Sequence, residues 1–157
     1  MLSDKTKTEI KALTNRYPDK RSAIMPVLHL AQAQVGWLPD EVIREVADLL
    51  GLTATEVNSV ATFYTMYARE KPGQHTVYFC TDLPCALRGA DEMLEHIEHR
   101  LGCKAGQTSA DGKITLRDAE CLGGCDHAPV MLVDGVEHQQ DLTNEKIDAI
   151  LERLRQS

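Results

Sequence analysis

The sequence has no run of about eighteen consecutive apolar residues, so no segment reads as a membrane-crossing helix. Its opening, MLSDKTKTEIK, lacks the apolar middle of a signal peptide, and export is not expected. An excess of positive charge is missing too: 17 Lys and Arg face 24 Asp and Glu, for a net charge of −7. Binding to nucleic acid needs a basic surface to meet phosphates, and that class is excluded. No G-x-G-x-x-G follows a strand pattern and no G-x-x-x-x-G-K-[ST] occurs, so the chain shows no nucleotide-binding signature and does not oxidise NADH by itself. Cys-x-x-Cys is absent, which weighs against thioredoxin-type thiol exchange. No Ser/His/Asp or Cys/His constellation stands out, and there is no internal repeat or low-complexity tract.

What remains is a 157-residue chain, 43% hydrophobic, long enough for one ordinary domain or two small ones. It divides unevenly at the turn signal Lys71-Pro72-Gly73. Residues 1–73 hold nine basic and nine acidic side chains and no cysteine. Residues 74–157 hold eight basic and fifteen acidic side chains and all five cysteines. The first part predicts four short helices, a small bundle. One carries Ile10 and Leu13 and ends near Arg16. A second runs from about Ser22 to Val35, with Pro26 in its first turn, and repeats Ile24, Val27, Leu28, Ala31 and Val35 at helical spacing. A third opens at Pro39-Asp40 and buries Val42, Ile43, Val46, Leu49 and Leu50. The fourth starts at Thr53 with Glu56 in a capping-box arrangement, and turns Val57, Val60, Ala61 and Phe63 inward.

The second part alternates. A strand over His75–Cys80 precedes a helix from about Ala86 to Leu101 with Leu87, Ala90, Met93, Leu94, Ile97 and Leu101 on one stripe. Ile114–Arg117 is a further strand, and Val130–Val133 and Val136–Gln139 flank Asp134-Gly135, a two-residue hairpin signal. A last helix starts at Thr143. Strand–helix–strand followed by strand–strand–helix is the order of a thioredoxin-like α/β domain. The fold class is thus α+β in two parts, an N-terminal helical bundle and a thioredoxin-like domain.

Four cysteines fall where strand patterns stop. Cys80 and Cys85 are separated by four residues, Cys121 and Cys125 by three, and thirty-five residues lie between the pairs. Loops on one edge of one sheet bring such pairs together, and four thiolates hold either zinc or an iron–sulfur cluster. Structural zinc prefers two-residue knuckles, and neither gap here is two. A [2Fe–2S] cluster is longer than a single ion and suits pairs that each clasp one iron. Gly123 and Gly124 let the second loop curl with its amides turned inward, while Asp82, Asp118, Glu120 and Asp126 nearby disfavour an added electron. On the pattern alone an iron–sulfur cluster leads, zinc follows, and a thiol–disulfide pair is last.

The residues around those cysteines also resemble a known family. Cys80-Thr81-Asp82-Leu83-Pro84-Cys85 with Arg88-Gly89-Ala90, then Asp111-Gly112, Thr115-Leu116, and Glu120-Cys121-Leu122-Gly123-Gly124-Cys125-Asp126 with Ala128-Pro129, resemble the thioredoxin-like [2Fe–2S] E subunit (24 kDa type) of respiratory NADH:quinone oxidoreductase, complex I. Tyr17-Pro18 with Arg21-Ser22-Ala23, Gln34-Val35-Gly36-Trp37, and Val60-Ala61-Thr62-Phe63-Tyr64 are similar to that family's N-terminal signatures. The resemblance implies one [2Fe–2S] cluster on Cys80, Cys85, Cys121 and Cys125, no catalytic residue on this chain, and single-electron exchange with FMN. FMN and NAD would sit on an NADH-binding flavoprotein subunit, alongside the other peripheral-arm subunits of complex I. Residues 1–73 would be the docking arm and 74–157 the cluster domain. The implied place is cytoplasmic, at the inner face of the cell membrane through the complex, with no direct insertion. The same role in an NAD-dependent formate dehydrogenase or a bidirectional hydrogenase, a free soluble ferredoxin, and a zinc-stabilised interaction module are the alternatives.

Blander readings apply elsewhere. Cys103 is a free thiol outside the motif, and Gly124 stands where the family often has Ala, without consequence for ligation. Trp37 anchors the bundle, and Phe63, Tyr64, Met66 and Tyr67 are packing residues. His96 and His99 are solvated, as are Glu92, Glu95 and Glu98. His127 is a solvated side chain or else a donor to a cluster sulfur.

Overall fold

A computed structural model describes residues 1–157 and divides them into two compact units, Met1–Lys71 and Pro72–Ser157. In the first unit, α1 spans Asp4–Thr14, α2 Ile24–Val35, α3 Asp40–Leu50 and α4 Ala54–Phe63, with a 3₁₀ turn at Lys20–Ala23 leading into α2. Their boundaries follow local chemistry. Ser3 accepts a hydrogen bond from the Thr6 N–H at the start of α1, and the Thr53–Glu56 capping box opens α4. Gly36 and Gly51, both left-handed, end α2 and α3. The core is built from one face of each helix, with Ile10, Val27, Leu28, Val46, Leu50 and Val57 fully buried.

Several side chains of this unit depart from expectation. Ile24, Val27, Leu28 and Ala31 of α2 are buried, but Val35 is half-buried; in α3, Ala47 is buried and Leu49 half-buried. Trp37 is half-buried as well. Phe63 is not inward: it is 76% exposed. Six residues at about 100° each carry it roughly 120° around α4 from Val57, away from the core face. Met66 is exposed, whereas Tyr67 is buried and donates its hydroxyl proton to the Met25 carbonyl at 2.9 Å.

The second unit is a four-stranded sheet with helices. β1 is His75–Cys80, β2 Ile114–Ala119, β3 Met131–Val133 and β4 Glu137–Gln139, in the order β2-β1-β3-β4. β1 and β2 are parallel; β3 is antiparallel to both β1 and β4. A parallel pair cannot be joined by a tight turn, so the segment between β1 and β2 crosses over as helix. That crossover is not one helix from residue 86. It breaks into α5, Leu83–Ala86, and α6, Ala90–Leu101, because Gly89 takes a φ of +85° between them. Leu87 lies on the break and is 78% exposed rather than on the buried stripe. α7 spans Asn144–Gln156 and is capped by Thr143, whose hydroxyl accepts from the Lys146 N–H.

The hairpin turn does centre on Asp134-Gly135, at φ +52° and +72°, closed by the Val136 N–H on the Val133 carbonyl. Pairing resumes only at Glu137, opposite Val133, so the loop is three residues long and Val136 is left 83% exposed. Val77, Phe79, Ile97, Leu116, Met131 and Ile147 form the centre of this unit's core. α6 and α7 are tied by His96 Nε2 to Asp148 Oδ1 at 2.8 Å, so His96 is a cross-link rather than a solvated side chain. Glu98 is likewise engaged, accepting from Lys104 Nζ at 2.6 Å and the Ala105 N–H at 3.0 Å.

Candidate metal centre

The parallel pairing of β1 and β2 sends both strands out of the sheet at the same edge. Cys80, the last residue of β1, lies opposite Ala119, the last residue of β2. The ladder continues past the strand ends: the Thr81 N–H donates to the Ala119 carbonyl at 2.9 Å. On the other side of β1, the Cys80 N–H donates to the Val130 carbonyl at 3.1 Å. Cys80 is therefore fixed between two neighbours, and its thiol faces the Glu120 carbonyl at 3.6 Å. One residue further along the second loop is Cys121.

Each gap between cysteines folds into a turn. Asp82 opens α5, and its carbonyl accepts from the Ala86 N–H at 2.9 Å, so the chain turns back and brings the Cys85 thiol near that of Cys80. In the second loop Gly123 is left-handed at φ +75°, and Cys125–His127 form a 3₁₀ turn that begins at Gly124. The Cys121 thiol lies close enough to Cys125 to oppose its ionisation. Charge on Cys125 helps raise Cys85, and charge on Cys80 helps raise Cys125, so the two pairs lie within electrostatic reach of one another. The pairs differ in depth: Cys80 and Cys85 are 2% and 1% exposed, whereas Cys121 and Cys125 are open to solvent.

Burial pushes the Cys85 thiol up to about 11, helped by the hydrogen bond and charge of Cys80 and the charge of Cys125; the Val130 backbone pulls it back by hydrogen-bonding the sulfur. Cys125 is also raised, by desolvation, by Cys121, and by charges at Cys80 and Asp82. The raised thiols of Cys85 and Cys125, crowded by other cysteines, are donors that a cation relieves, since binding metal displaces the protons. Two cysteine pairs on neighbouring loops are a donor set of the kind that holds a single ion or two irons with two thiolates each.

Other residues fall outside that arrangement. Cys103 follows α6 and its thiol faces the Gln107 carbonyl at 3.9 Å; burial, then Glu98 and Asp111, raise it. His127 does not point to a sulfur, because its Nδ1 lies 3.0 Å from Asp141 and its Nε2 3.6 Å from Asp126. Residues that spacing could not single out also appear. His138 of β4 lies over the second cysteine loop, its Nε2 3.0 Å from the Leu122 carbonyl. His75 bridges Asp134, 2.8 Å from Nδ1, and Ser157, 2.9 Å from Nε2. That Ser–His–Asp contact ties the end of α7 to β1 and the hairpin turn; the Ser157 hydroxyl also lies 3.1 Å from the Leu154 carbonyl, and it has one proton to give.

Residues 10–155 match the family described as thioredoxin-like [2Fe-2S] ferredoxin, and the chain belongs to that family. Among its relatives is an NADH-quinone oxidoreductase E subunit of Rhizobium meliloti (strain 1021), the one numbered 2, which is 44% identical over 147 residues that cover 94% of this chain and 87% of that protein. The NADH-quinone oxidoreductase E subunit of Mycobacterium bovis (strain ATCC BAA-935 / AF2122/97) is 40% identical over 147 residues, covering 94% of this chain and 58% of that protein. This chain thus spans most of the first relative and little more than half of the second. An NAD+-reducing [NiFe]-hydrogenase, solved in the air-oxidized state, contains a chain similar to this one with a TM-score of 0.74 and 23% identity, over 84% of this chain and 22% of the other. At that identity the likeness is one of fold.

Proposed function

We propose that this chain is the electron-transfer subunit of the NADH dehydrogenase module of an NADH:quinone oxidoreductase, with one [2Fe–2S] cluster on Cys80, Cys85, Cys121 and Cys125. The observation that carries the reading is the parallel register of β1 and β2, which ends both strands beside one another at Cys80 and at Ala119–Cys121. When bound, such a cluster takes up and returns one electron at a time. The chain's residues do the rest. Cys80 and Cys85 would hold their iron from the dry side, with the Val130 backbone hydrogen-bonding the Cys85 sulfur to stabilise negative charge. Cys121 and Cys125 would hold the other from the exposed side, where a redox partner can come close. Asp82, Asp118, Glu120 and Asp126 are exposed, so water and salt weaken their opposition to an added electron.

The donor and acceptor of that electron is FMN on an adjacent NADH-binding flavoprotein subunit, where NAD also binds. A hydride delivers two electrons together, and a neighbouring one-electron site lets them be separated. Leu83 and Leu87 support a contact surface beside the cluster: both are large, apolar and exposed, and they flank Cys85 on one turn. The four-helix unit, which has no cysteine, serves as a docking arm. No helix is long and apolar enough to cross a membrane, and the subunit sits in the cytoplasmic peripheral arm of the complex. Relatives at 40–44% identity favour the quinone-linked complex over a hydrogenase or formate dehydrogenase module.

The test is the dithionite-reduced chain in an electron paramagnetic resonance spectrometer, with iron and acid-labile sulfide counted. Two irons, two sulfides and a signal from one unpaired electron are expected; a colourless protein with one zinc and no sulfide refutes the proposal. Deleting residues 1–70 should leave the cluster assembled but abolish co-purification with the flavoprotein, and retained binding would refute the docking role.

A further inference from the structure

We propose that His138 is a positioning residue for the Cys121–Cys125 loop, and that position 124 is glycine to make room for its ring. The inference rests on the reading that these two cysteines hold iron. Leu122 lies between them, and its carbonyl receives the His138 Nε2–H at 3.0 Å. On the far side of the ring the Gln140 side-chain amide nitrogen lies 3.2 Å from Nδ1. That nitrogen can only donate, so Nδ1 accepts and the proton belongs on Nε2, aimed at the loop. The ring is carried by β4, where His138 pairs with Leu132 of β3. A loop that must present two sulfurs at one spacing is thereby fixed to the sheet at the residue after its first cysteine. Backbone hydrogen bonds also hold the loop beyond Leu122, from the His127 N–H to the Gly124 carbonyl at 3.0 Å and from the Asp141 N–H to the His127 carbonyl at 2.8 Å.

Gly124 is the other half of the device. Its φ of −118° lies outside the left-handed region that reserves a position for glycine, and the space around it is closely filled. A Cβ there would stand 2.7 Å from His138 Cε1 and 2.9 Å from Val130 Cγ1. Val130 is buried and held; His138 is exposed and can swing outward. An added methyl group would therefore expel the imidazole and release the Leu122 carbonyl. Gly124→Ala and His138→Ala should both release the Leu122 carbonyl, and Gly124→Ala adds a clash with Val130.

Four variants of the full chain test this, each reconstituted with iron and sulfide: His138→Ala, His138→Gln, Gly124→Ala and the double alanine variant. Iron loss to a chelator and the electron paramagnetic resonance line shape are read, with melting of the metal-free proteins as a control on folding. Groups that orient metal ligands are worth about 10- to 100-fold in metal affinity, so His138→Ala should lose iron about 10-fold faster, with a shifted spectrum. His138→Gln keeps an amide N–H in reach of Leu122 and should stay close to wild type. Gly124→Ala should lose iron at least as fast as His138→Ala, because the 2.9 Å approach to Val130 persists after the ring leaves, and the double variant should be no worse than Gly124→Ala alone, as the loss of one hydrogen bond is counted once. A His138→Ala protein that keeps its iron and spectrum beside a loaded wild type overturns the inference and leaves the proposed function standing; so does equal damage from Ala and Gln. A wild-type chain that takes up no iron overturns the function and this inference with it.

Discussion

Serine substitutions at the five cysteines separate what a thiol does as a ligand from what it does as a packed side chain. Cys80 and Cys85 are buried, and a hydroxyl in a thiol's place is a polar group removed from water. Some compensation is at hand: a serine at position 80 is not stranded, because the Glu120 carbonyl that faces the Cys80 sulfur can accept its proton, and the Val130 backbone can serve position 85. The metal-free Cys80→Ser and Cys85→Ser proteins should therefore lose about 1 kcal/mol, at the low end for a buried polar group. For a unit the size of Pro72–Ser157, that is a fall in Tm of about 4–8 °C. Cys121 and Cys125 are exposed, so their metal-free serine variants should stay within about 0.5 kcal/mol of wild type. With iron and sulfide supplied, the ordering changes. All four variants should bleach or alter the visible spectrum and lose the stability that metal binding adds to folding, while Cys103→Ser should do neither. Calorimetry of the metal-free proteins and iron and sulfide counts on the loaded ones give both halves. If Cys103→Ser behaved like Cys121→Ser, or if the exposed pair kept the full cluster as serines, the ligand assignment would be wrong.

Two further predictions concern the helical unit. Glu56 is pulled down to about 2, first by the Thr53 backbone N–H, then by Arg21 and the Thr53 hydroxyl. Its folded value lies below the ordinary 4.5, so its contribution is complete above that and is lost as pH falls from about 4.5 through 2. Thermal melts followed by helical circular dichroism should fall across that window more steeply in wild type than in Glu56→Gln, and parallel curves would contradict the assignment. Tyr67→Phe should cost about 1 kcal/mol, because it removes the buried hydroxyl that serves the Met25 carbonyl at 2.9 Å; urea unfolding measures it.

Much of the local structure is legible in residue order. Glu56 three places after Thr53 is a capping box because both hydrogen bonds close within one turn. Asp134-Gly135 marks the hairpin because few other pairs accept two positive φ values in succession. The helical faces of α2 and α3 repeat as apolar spacing says, up to the half-buried Val35 and Leu49. Where expectation misses, the periodicity is carried past a local stop. The Leu87 stripe extends across left-handed Gly89, and Phe63 is assigned inward at the last residue of its helix.

The sequence by itself determined the two cysteine pairs, the gaps within them and the turn-forming residues that fill those gaps, since each depends on atoms a few positions apart. Only the tertiary structure decided that the strand ends carrying the two pairs lie side by side. Cys80 and Ala119 become neighbours through a parallel register with a helical crossover between them, and residue order does not state which strands pair. His138 reaches Leu122 across 16 positions, and His75 reaches Ser157 across 82. Such contacts leave no mark in spacing, because what sets them is the common packing of helices and sheet around one core rather than the reach of the chain between them.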